Sequence, residues 1–186
     1  MRILQLHSNF IVFKPIQKEI DLAEEAEQKE NRIEEVVVLF TAIEEGDNVA
    51  TAKSAINDIR AFLGKQKTNR ILIYPFAHLS SNLSNPSEAL NIIKAMETYA
   101  KEKGIETYRA PFGWNKQFTI SIKGHPLAEQ ARSYSPTPVE AETKVGEVCK
   151  KEEEPVSAAL KAEDKMQSFW HIILPDGSLV PVLHAQ

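Results

Sequence analysis

The segment that decides the fold is Ile71-Leu72-Ile73-Tyr74-Pro75-Phe76-Ala77-His78-Leu79-Ser80-Ser81. It opens with an apolar run typical of a buried strand, and a proline then interrupts that run. A histidine and two serines follow where the strand ends. Functional sites in α/β sheets lie at the carboxyl ends of strands, so this segment predicts both a central strand and one wall of a site.

A second polar region comes later in the chain, in two pieces. The first piece is Ala110-Pro111-Phe112-Gly113-Trp114-Asn115-Lys116, and the second is Lys123-Gly124-His125-Pro126-Leu127-Ala128-Glu129. We predict that these pieces meet the end of the Ile71 strand in space and form one site with it.

The elements on the amino-terminal side of that strand are predicted from hydrophobic pattern. Residues 2–7 and 10–13 are expected to form two antiparallel strands around a Ser8-Asn9 turn, and residues 33–43 a central strand. Residues 18–32 are rich in Glu, Lys and Ala, which predicts a solvated helix or mobile loop without chemistry. Apolar residues at helical spacing between residues 52 and 63 predict an amphipathic helix, capped by Asp47 or Asn48.

On the carboxyl-terminal side, a second helix is expected to start at Asn85-Pro86, because proline favours the first helical position. Residues 105–109 and 117–123 are expected to be strands. The predicted fold class is α/β: a two-layer domain with a mixed β-sheet of about six strands, covered on one face by two helices.

The remaining chain divides further. Residues 1–132 are predicted to be the main domain, residues 133–167 a charged linker with prolines and a helix around residues 158–166, and residues 168–186 a β-hairpin around Pro175-Asp176-Gly177-Ser178. An isolated hairpin is marginal in water, so it is expected to pack on the main domain or to begin another domain.

The composition excludes several classes of protein. The 186 residues carry 42% hydrophobic and 26% charged residues and a net charge of −4, which disfavours tight non-specific binding of nucleic acid. No apolar run approaches the ~20 residues of a membrane span, and the start lacks a signal peptide's features. A single cysteine, Cys149, favours a reducing cytoplasm.

Three features have the residue types for chemistry, each with a plainer alternative. His78 can orient a hydroxyl or transfer a proton, or it can be structural. Lys116 can hold a phosphate, a carbonyl or a water, or it can be an ordinary surface lysine. If Pro126 opens a helix, His125 and Glu129 share one face and form half a metal site, but no second ligand pair stands out, so no metal is expected.

Phe112 and Trp114 fit either the wall of a pocket or the core. The seven glycines are scattered, so no phosphate-cradling loop is present, and no nucleophile elbow or activated cysteine is found. From the residues alone, the sequence predicts a soluble α/β domain with a polar site.

Together, the 74–81, 110–116 and 123–129 motifs resemble the N-terminal editing domain of archaeal threonyl-tRNA synthetases, and the opening Leu6-His7-Ser8-Asn9-Phe10 resembles that family's start. The resemblance covers about residues 1–132. It implies a D-aminoacyl-tRNA deacylase-like fold, and hydrolysis of serine wrongly esterified to threonine tRNA with help from the RNA 2′-OH.

The resemblance also implies the site residues. Lys116 would position a water and stabilise charge, His78 would hold the ribose or the amino-acid hydroxyl, and Glu129 would orient Lys116 or the terminal adenosine. Asn115 stands where some members carry tyrosine. The pocket for the aminoacyl adenosine would be lined by Ile43, Pro75, Ala77, Phe112, Gly113 and Trp114.

The implied partners are the 3′ end of a serine-bearing threonine tRNA and the rest of the synthetase, in cis or in trans. A homodimer through edge strands is also expected. No cofactor, no membrane and a cytoplasmic location are expected. Two alternatives remain: a stand-alone D-aminoacyl-tRNA deacylase, and a non-catalytic tRNA-docking module, which the acidic balance disfavours.

Overall fold

The computed structural model describes residues 1–135 and the backbone of residues 171–173 and 179–181. The chain divides into two compact units, Met1–Glu140 and Ala141–Gln186. Most of the predicted linker lies outside the described residues, together with its helix around residues 158–166 and with Cys149. The division into a domain, a linker and a hairpin therefore stays a prediction.

The first unit contains six strands and two helices. The strands are β1 (Arg2–Lys18), β2 (Asn31–Ala42), β3 (Arg70–Pro75), β4 (Glu106–Arg109), β5 (Trp114–Ile122) and β6 (Glu129–Ser133). The helices are α1 (Val49–Gln66) and α2 (Pro86–Glu102), and one turn of 3-10 helix covers Ala77–Leu79.

All six strands belong to one mixed sheet in the order β4-β3-β2-β1-β5, with β6 also pairing with β1. The β2–β3 and β3–β4 pairs are parallel, and β1 pairs antiparallel with β2, β5 and β6. Each parallel pair is joined through a helix, as parallel neighbours require. The predicted fold class, a mixed sheet with two helices, is confirmed.

Local sequence sets where both helices begin. Asn48 precedes α1 and accepts a hydrogen bond from the Thr51 amide, while the Thr51 hydroxyl accepts one from the Asn48 amide. Asn85 caps α2 through the Ser87 amide, and Pro86 occupies the first turn. These reciprocal contacts satisfy amides that have no partner inside the helix, so both predicted starts are confirmed.

The sheet is buried on both faces, which gives two hydrophobic cores. One face packs under the helices, where Val37, Leu39, Ile71 and Ile73 are all fully buried. On the other face, a second core is formed without a helix by Leu6, Ile11, Phe13, Ile33, Val36, Val38, Phe40, Leu72, Tyr74 and Ala110.

The second core exists because the sheet curls over itself. Phe118 on β5 lies 5.8 Å from Tyr74 on β3 and 5.3 Å from Phe40 on β2, measured between ring centres. In a flat sheet, strands in the positions of β5 and β3 would be about 14 Å apart. Strand β5 therefore folds across the open face, and this curl brings Lys116 toward the end of β3.

The predicted N-terminal hairpin is wrong, because residues 2–18 form one continuous strand. Ser8 is fully buried, and its hydroxyl donates to the Leu6 carbonyl 3.2 Å away. The pairing of β1 with β5 shifts register between Ser8 and Phe10, so the Ser8-Asn9 pair produces a local irregularity and not a reversal of the chain.

In the second unit, β7 (His171–Ile173) and β8 (Leu179–Pro181) pair antiparallel. This agrees with the strand pairing expected of the hairpin; its turn lies outside the described residues. No helix in the described part of the chain is long and apolar enough to cross a membrane.

Candidate aminoacyl ester site

A cavity of about 360 Å³ opens at the carboxyl ends of β2 and β3, within the size range of small-molecule sites. Its floor comes from Thr41, Ala42 and Ile43 together with Ala89 and Ile93 of α2. One wall is the end of β3 and the 3-10 turn, residues 74–78, and a further wall is residues 112–116. The two segments that the sequence predicts to meet, 71–81 and 110–116, do form one pocket.

Lys116 is the cation of this pocket, and it is half-buried. Its Nζ donates to the carbonyl oxygens of Trp114 at 2.8 Å and Pro111 at 3.2 Å. It also lies 5.0 Å from the centre of the Tyr74 ring, close enough for a cation–π contact. An ammonium has three N–H donors, so these contacts leave one for a ligand. Lys116 is therefore not the ordinary surface lysine of the plainer alternative.

Burial lowers the pKa of Lys116 from its ordinary value to about 8. Since no carboxylate contributes to this shift, the ammonium is held by carbonyl dipoles and an aromatic face. Such an ammonium group is charged at neutral pH, and the neutral groups around it do not cancel that charge. It is therefore suited to bind a developing negative charge.

His78 lies in the 3-10 turn and lines the same cavity as Lys116. Its imidazole is exposed and packs edge-to-face on Phe76, with ring centres 5.1 Å apart. Among the hydrogen bonds of the described residues, none involves this imidazole. The geometry favours a ligand-facing histidine over the structural alternative.

The six residues predicted to form the walls all line this cavity: Ile43, Pro75, Ala77, Phe112, Gly113 and Trp114. Ile43 is buried under the pocket floor, whereas the Ala77 side chain is exposed at its edge. Trp114 belongs both to the core and to the pocket wall, since it is only 8% exposed and still borders the cavity. Asn115 lies beside Lys116 at the rim.

The region predicted to be a solvated helix or mobile loop instead supports the pocket. Residues 19–24, which we name the strap, cross the outside of the 112–114 wall. The Glu19 amide donates to the Gly113 carbonyl at 2.8 Å, and the Glu24 amide donates to the Phe112 carbonyl at 3.2 Å. Trp114 Nε1 donates to the Glu24 carbonyl at 2.7 Å. Of the two predicted alternatives, a helix and a loop, the segment is a loop, and its contacts with the wall give it a structural role that the composition does not indicate.

Glu24 fixes the strap through its side chain as well. Its carboxylate receives hydrogen bonds from both Nη atoms of Arg109, and the Phe112 amide donates to it at 3.0 Å. Although partial burial opposes ionisation, the contacts with Arg109 and Phe112 hold the pKa of Glu24 below its ordinary value. The wall is thereby held by a charged pair that is largely removed from water.

Gly113 allows the strap to approach the wall closely. Its φ is +77°, a region in which side chains are disfavoured, and a Cβ there would lie 2.9 Å from Ala23 Cα and from Ile20 Cγ1. Both the positive φ and the lack of room for a Cβ therefore favour glycine in the Phe112-Gly113-Trp114 motif.

Glu129 does not reach this pocket within the chain, so it does not orient Lys116 of its own chain, which was one of its two predicted roles; the other, orienting the terminal adenosine, stays a prediction. Glu129 is exposed on β6 opposite Leu6 of β1, whereas Lys116 lies opposite Pro15. Nine residues of β1, about 30 Å of strand, separate the two positions.

The predicted helix after Pro126 is also wrong, since residues 124–128 form a turn that leads into β6. His125 uses that turn to bind His7, with Nε2 2.9 Å from His7 Nδ1. Within the described ranges, no group of three or more His, Cys, Asp or Glu side chains is arranged to hold a metal ion.

The predicted set of lining residues lacks Glu19, Ile20, Thr41, Ala42, Tyr74, Phe76, Leu83, Ser84, Pro86, Ala89 and Ile93. Tyr74, Ala89 and Ile93 are buried core residues that also border the cavity, and an apolar pattern indicates the burial but not the cavity. Glu19 and Ile20 had no sequence signal, since their role depends on contacts with residues more than 90 positions away.

Comparison with known proteins defines the class first, as an editing domain of an aminoacyl-tRNA synthetase. A family model for the archaea-specific editing domain of threonyl-tRNA synthetase matches residues 1–134. The threonine–tRNA ligase of Nitrosopumilus maritimus is 41% identical over 183 residues, 98% of this chain and 28% of that protein. The Methanosarcina mazei enzyme is 45% identical over 185 residues, with 96% and 28% covered.

The chain belongs to the family of the archaea-specific editing domain of threonyl-tRNA synthetase, which confirms the resemblance stated above. It spans about 28% of the length of these relatives. Among solved structures, the c-Myc DNA unwinding element binding protein matches with a TM-score of 0.56 and 10% identity, covering 74% of this chain and 100% of that one. This likeness concerns the fold alone.

Proposed function

We propose that this chain hydrolyses serine wrongly esterified to the 3′ end of threonine tRNA. The observation that carries the proposal is the half-buried Lys116, which lines a 360 Å³ cavity together with His78 in a member of an editing-domain family. The cavity suits an amino acid and part of its ribose. The chemistry needed is cleavage of an ester by an oriented water.

The physical need for such a site follows from the small difference between serine and threonine. One methyl group gives a synthetic site only about 1–3 kcal/mol of discrimination, so a second site must hydrolyse the smaller product. A cavity with a rigid floor suits this task, because Ile43 and Ile93 are core residues that cannot move aside for an added methyl.

In the proposed reaction, the ammonium of Lys116 stabilises the oxyanion that forms when water attacks the ester carbonyl. His78, which lines the same cavity, holds the ribose or the serine hydroxyl. The 2′-OH of the terminal ribose assists in orienting the water. Chain residues thus supply position and charge, and we propose that no cofactor takes part, so a chelator should leave the rate unchanged.

A deacylation assay tests the proposal. Threonine tRNA charged with serine, threonine or a D-amino acid is mixed with the 186-residue chain, and loss of the ester is followed. Rapid loss of serine with threonine spared is expected, and Lys116→Ala should remove most of the rate. If only D-amino acids are released, the chain is a chiral deacylase; if none is released, it is a docking module.

The rest of a threonyl-tRNA synthetase is the proposed partner, in cis or in trans, because each relative extends far beyond the matched region. Working on aminoacyl-tRNA also places the chain in the cytoplasm, where that substrate is made and used.

A second copy of this chain is the other proposed partner. The family resemblance assigns Glu129 to the site, yet Glu129 lies about 30 Å of strand away from Lys116 in its own chain. A homodimer resolves this conflict by presenting Glu129 of one copy to Lys116 of the other. Partly exposed apolar residues at the open face of the curled sheet, Phe118, Ile120 and Ile122, suit such an interface.

Mixing two inactive variants tests this arrangement. If Glu129→Gln and Lys116→Ala act at a shared site, heterodimers contain one intact site, and about a quarter of the wild-type rate should return on random mixing. Light scattering at micromolar concentration should give twice the chain mass. A monomer, or a mixture that stays inactive, would exclude a site shared between copies.

A further inference from the structure

Glu19 is an acidic side chain fixed at the rim of the cavity by two contacts. Its amide donates to the Gly113 carbonyl at 2.8 Å, and its carboxylate accepts a hydrogen bond from Asn115 Nδ2. The first contact sets the position of the strap, and the second sets the direction of the side chain. Both partners belong to the wall that carries Lys116.

This carboxylate has no cation of its own in the described part of the chain. The neighbouring Lys18 pairs instead with Glu25 at 2.7 Å, and none of the ion pairs among the described residues includes Glu19. Among the residues that line the cavity, Glu19 is the only acid, and Lys116 and His78 are the basic ones.

An ester of a free amino acid brings a second cation into this cavity, namely its α-ammonium group, one bond from the reacting carbonyl carbon. Lys116 stabilises negative charge at the carbonyl oxygen but repels the ammonium, and in a partly buried site such like-charge contact is costly. The ammonium therefore needs an acidic acceptor within the same cavity, and Glu19 supplies a carboxylate at the rim.

We propose that Glu19, oriented by Asn115, binds the α-ammonium group of the esterified amino acid and restricts the site to esters whose amino group is free. This inference rests on the proposed function. It assigns the substrate class as aminoacyl esters and excludes N-blocked ones such as peptidyl or formylated esters. It also gives Asn115 a task that a tyrosine at that position would perform differently.

Two non-hydrolysable probes separate this binding step from catalysis. The first is 3′-amino-3′-deoxyadenosine joined to serine through an amide, and the second is the same molecule with a hydroxyl in place of the α-amine. Calorimetry on the full 186-residue chain should give about tenfold tighter binding of the ammonium-bearing probe. Glu19→Gln keeps the side-chain shape and an acceptor for Asn115, and it should bring the two affinities within about twofold.

Glu25→Gln is the matched control, since it removes the same charge from an exposed position next to the strap and should leave the preference intact. Equal affinity of the wild type for both probes would overturn the assignment, and so would an unchanged preference in Glu19→Gln. Deacylation of seryl-tRNA is scored separately. Tight, Glu19-dependent binding without ester loss would refute the proposed function and leave the ammonium site standing.

Discussion

The protonation state of Lys116 determines how the rate of seryl-tRNA deacylation should depend on pH. The proposed role is that of an ammonium that stabilises an oxyanion, so the enzyme should lose activity as this group loses its proton. Burial places that pKa at about 8, inside the range in which the reaction can be followed. The perturbation is thus a change of pH, with Lys116→Arg as the variant that stays charged throughout.

The size of the effect follows from the pKa. With a value of about 8, roughly 90% of the chains carry the ammonium at pH 7 and roughly 10% at pH 9. The rate under single-turnover conditions should therefore fall about tenfold over this interval, which corresponds to about 1.4 kcal/mol in the barrier. A lysine that acted as a neutral base would give the opposite result, a rise of about tenfold.

The assay measures loss of serine from threonine tRNA between about pH 6.5 and 9.5, with the spontaneous rate subtracted at each pH because ester hydrolysis by hydroxide rises steeply. Lys116→Arg is expected to be slower but to lack the fall near pH 8. The substrate's own amine titrates in the same range, and it does so equally with both proteins, so the difference between the profiles isolates Lys116. A wild-type rate that rises through pH 8, or identical profiles, would refute the oxyanion role.

Three further results are expected. Relative to Lys116→Met, the wild type should gain up to about 3 kcal/mol in free energy of unfolding between pH 8 and 10.5, because the folded pKa is lowered and the unfolded state then binds more protons; urea titrations at both pH values measure this. Gly113→Ala should destabilise by about 2 kcal/mol or more, and Gly104→Ala by only about 1 kcal/mol, since both have positive φ but only Gly113 lacks space; equal losses would contradict the close approach of the strap. Glu24→Gln should lower stability at pH 7 by about 1–3 kcal/mol by weakening its pair with Arg109, and the loss should vanish as acid protonates Glu24 in the wild type.

The parts of the fold that the sequence predicts correctly are those set by local interactions. The capping of α1 by Asn48 and of α2 by Asn85 involves residues two to three positions apart, so the pattern alone is sufficient. The apolar run of β3 similarly identifies a strand buried on both faces. The position of His78 follows, because it comes directly after that strand.

The parts that the sequence predicts wrongly depend on distant partners. Ser8-Asn9 favours a turn locally, but pairing with β2 on one side and with β5 and β6 on the other keeps β1 extended through it. The resemblance implied that Glu129 orients Lys116 or the terminal adenosine, yet the shared neighbour β1 holds Glu129 and Lys116 of one chain about 30 Å of strand apart. The local sequence around Ser8-Asn9 and around Glu129 does not indicate which distant strands these segments pair with.

The strap is the most instructive of these cases, because composition predicts a solvated segment and the structure makes it a wall support. Its contacts with the 112–114 wall are mostly made by backbone amides and carbonyls, which any sequence provides. Four features are specific to residue type: the Glu24–Arg109 pair, the Trp114 Nε1 donor, the Glu19–Asn115 hydrogen bond and the absence of a side chain at Gly113. A pattern search for apolar or catalytic residues has no means of detecting such a support.

Glu24 does not line the cavity, yet it connects the strap to catalysis through the wall. Lys116 Nζ is held by the carbonyl oxygens of Pro111 and Trp114, and those residues flank the wall that the strap fixes through Glu24. Loosening the strap therefore moves the carbonyls, and with them the ammonium, by the small distances that matter for an oxyanion contact. It follows that Glu24→Gln, which loosens the strap and leaves Glu19 in place, should reduce the rate of ester cleavage more than it weakens substrate binding, because core residues of β2 and α2 form the floor of the cavity.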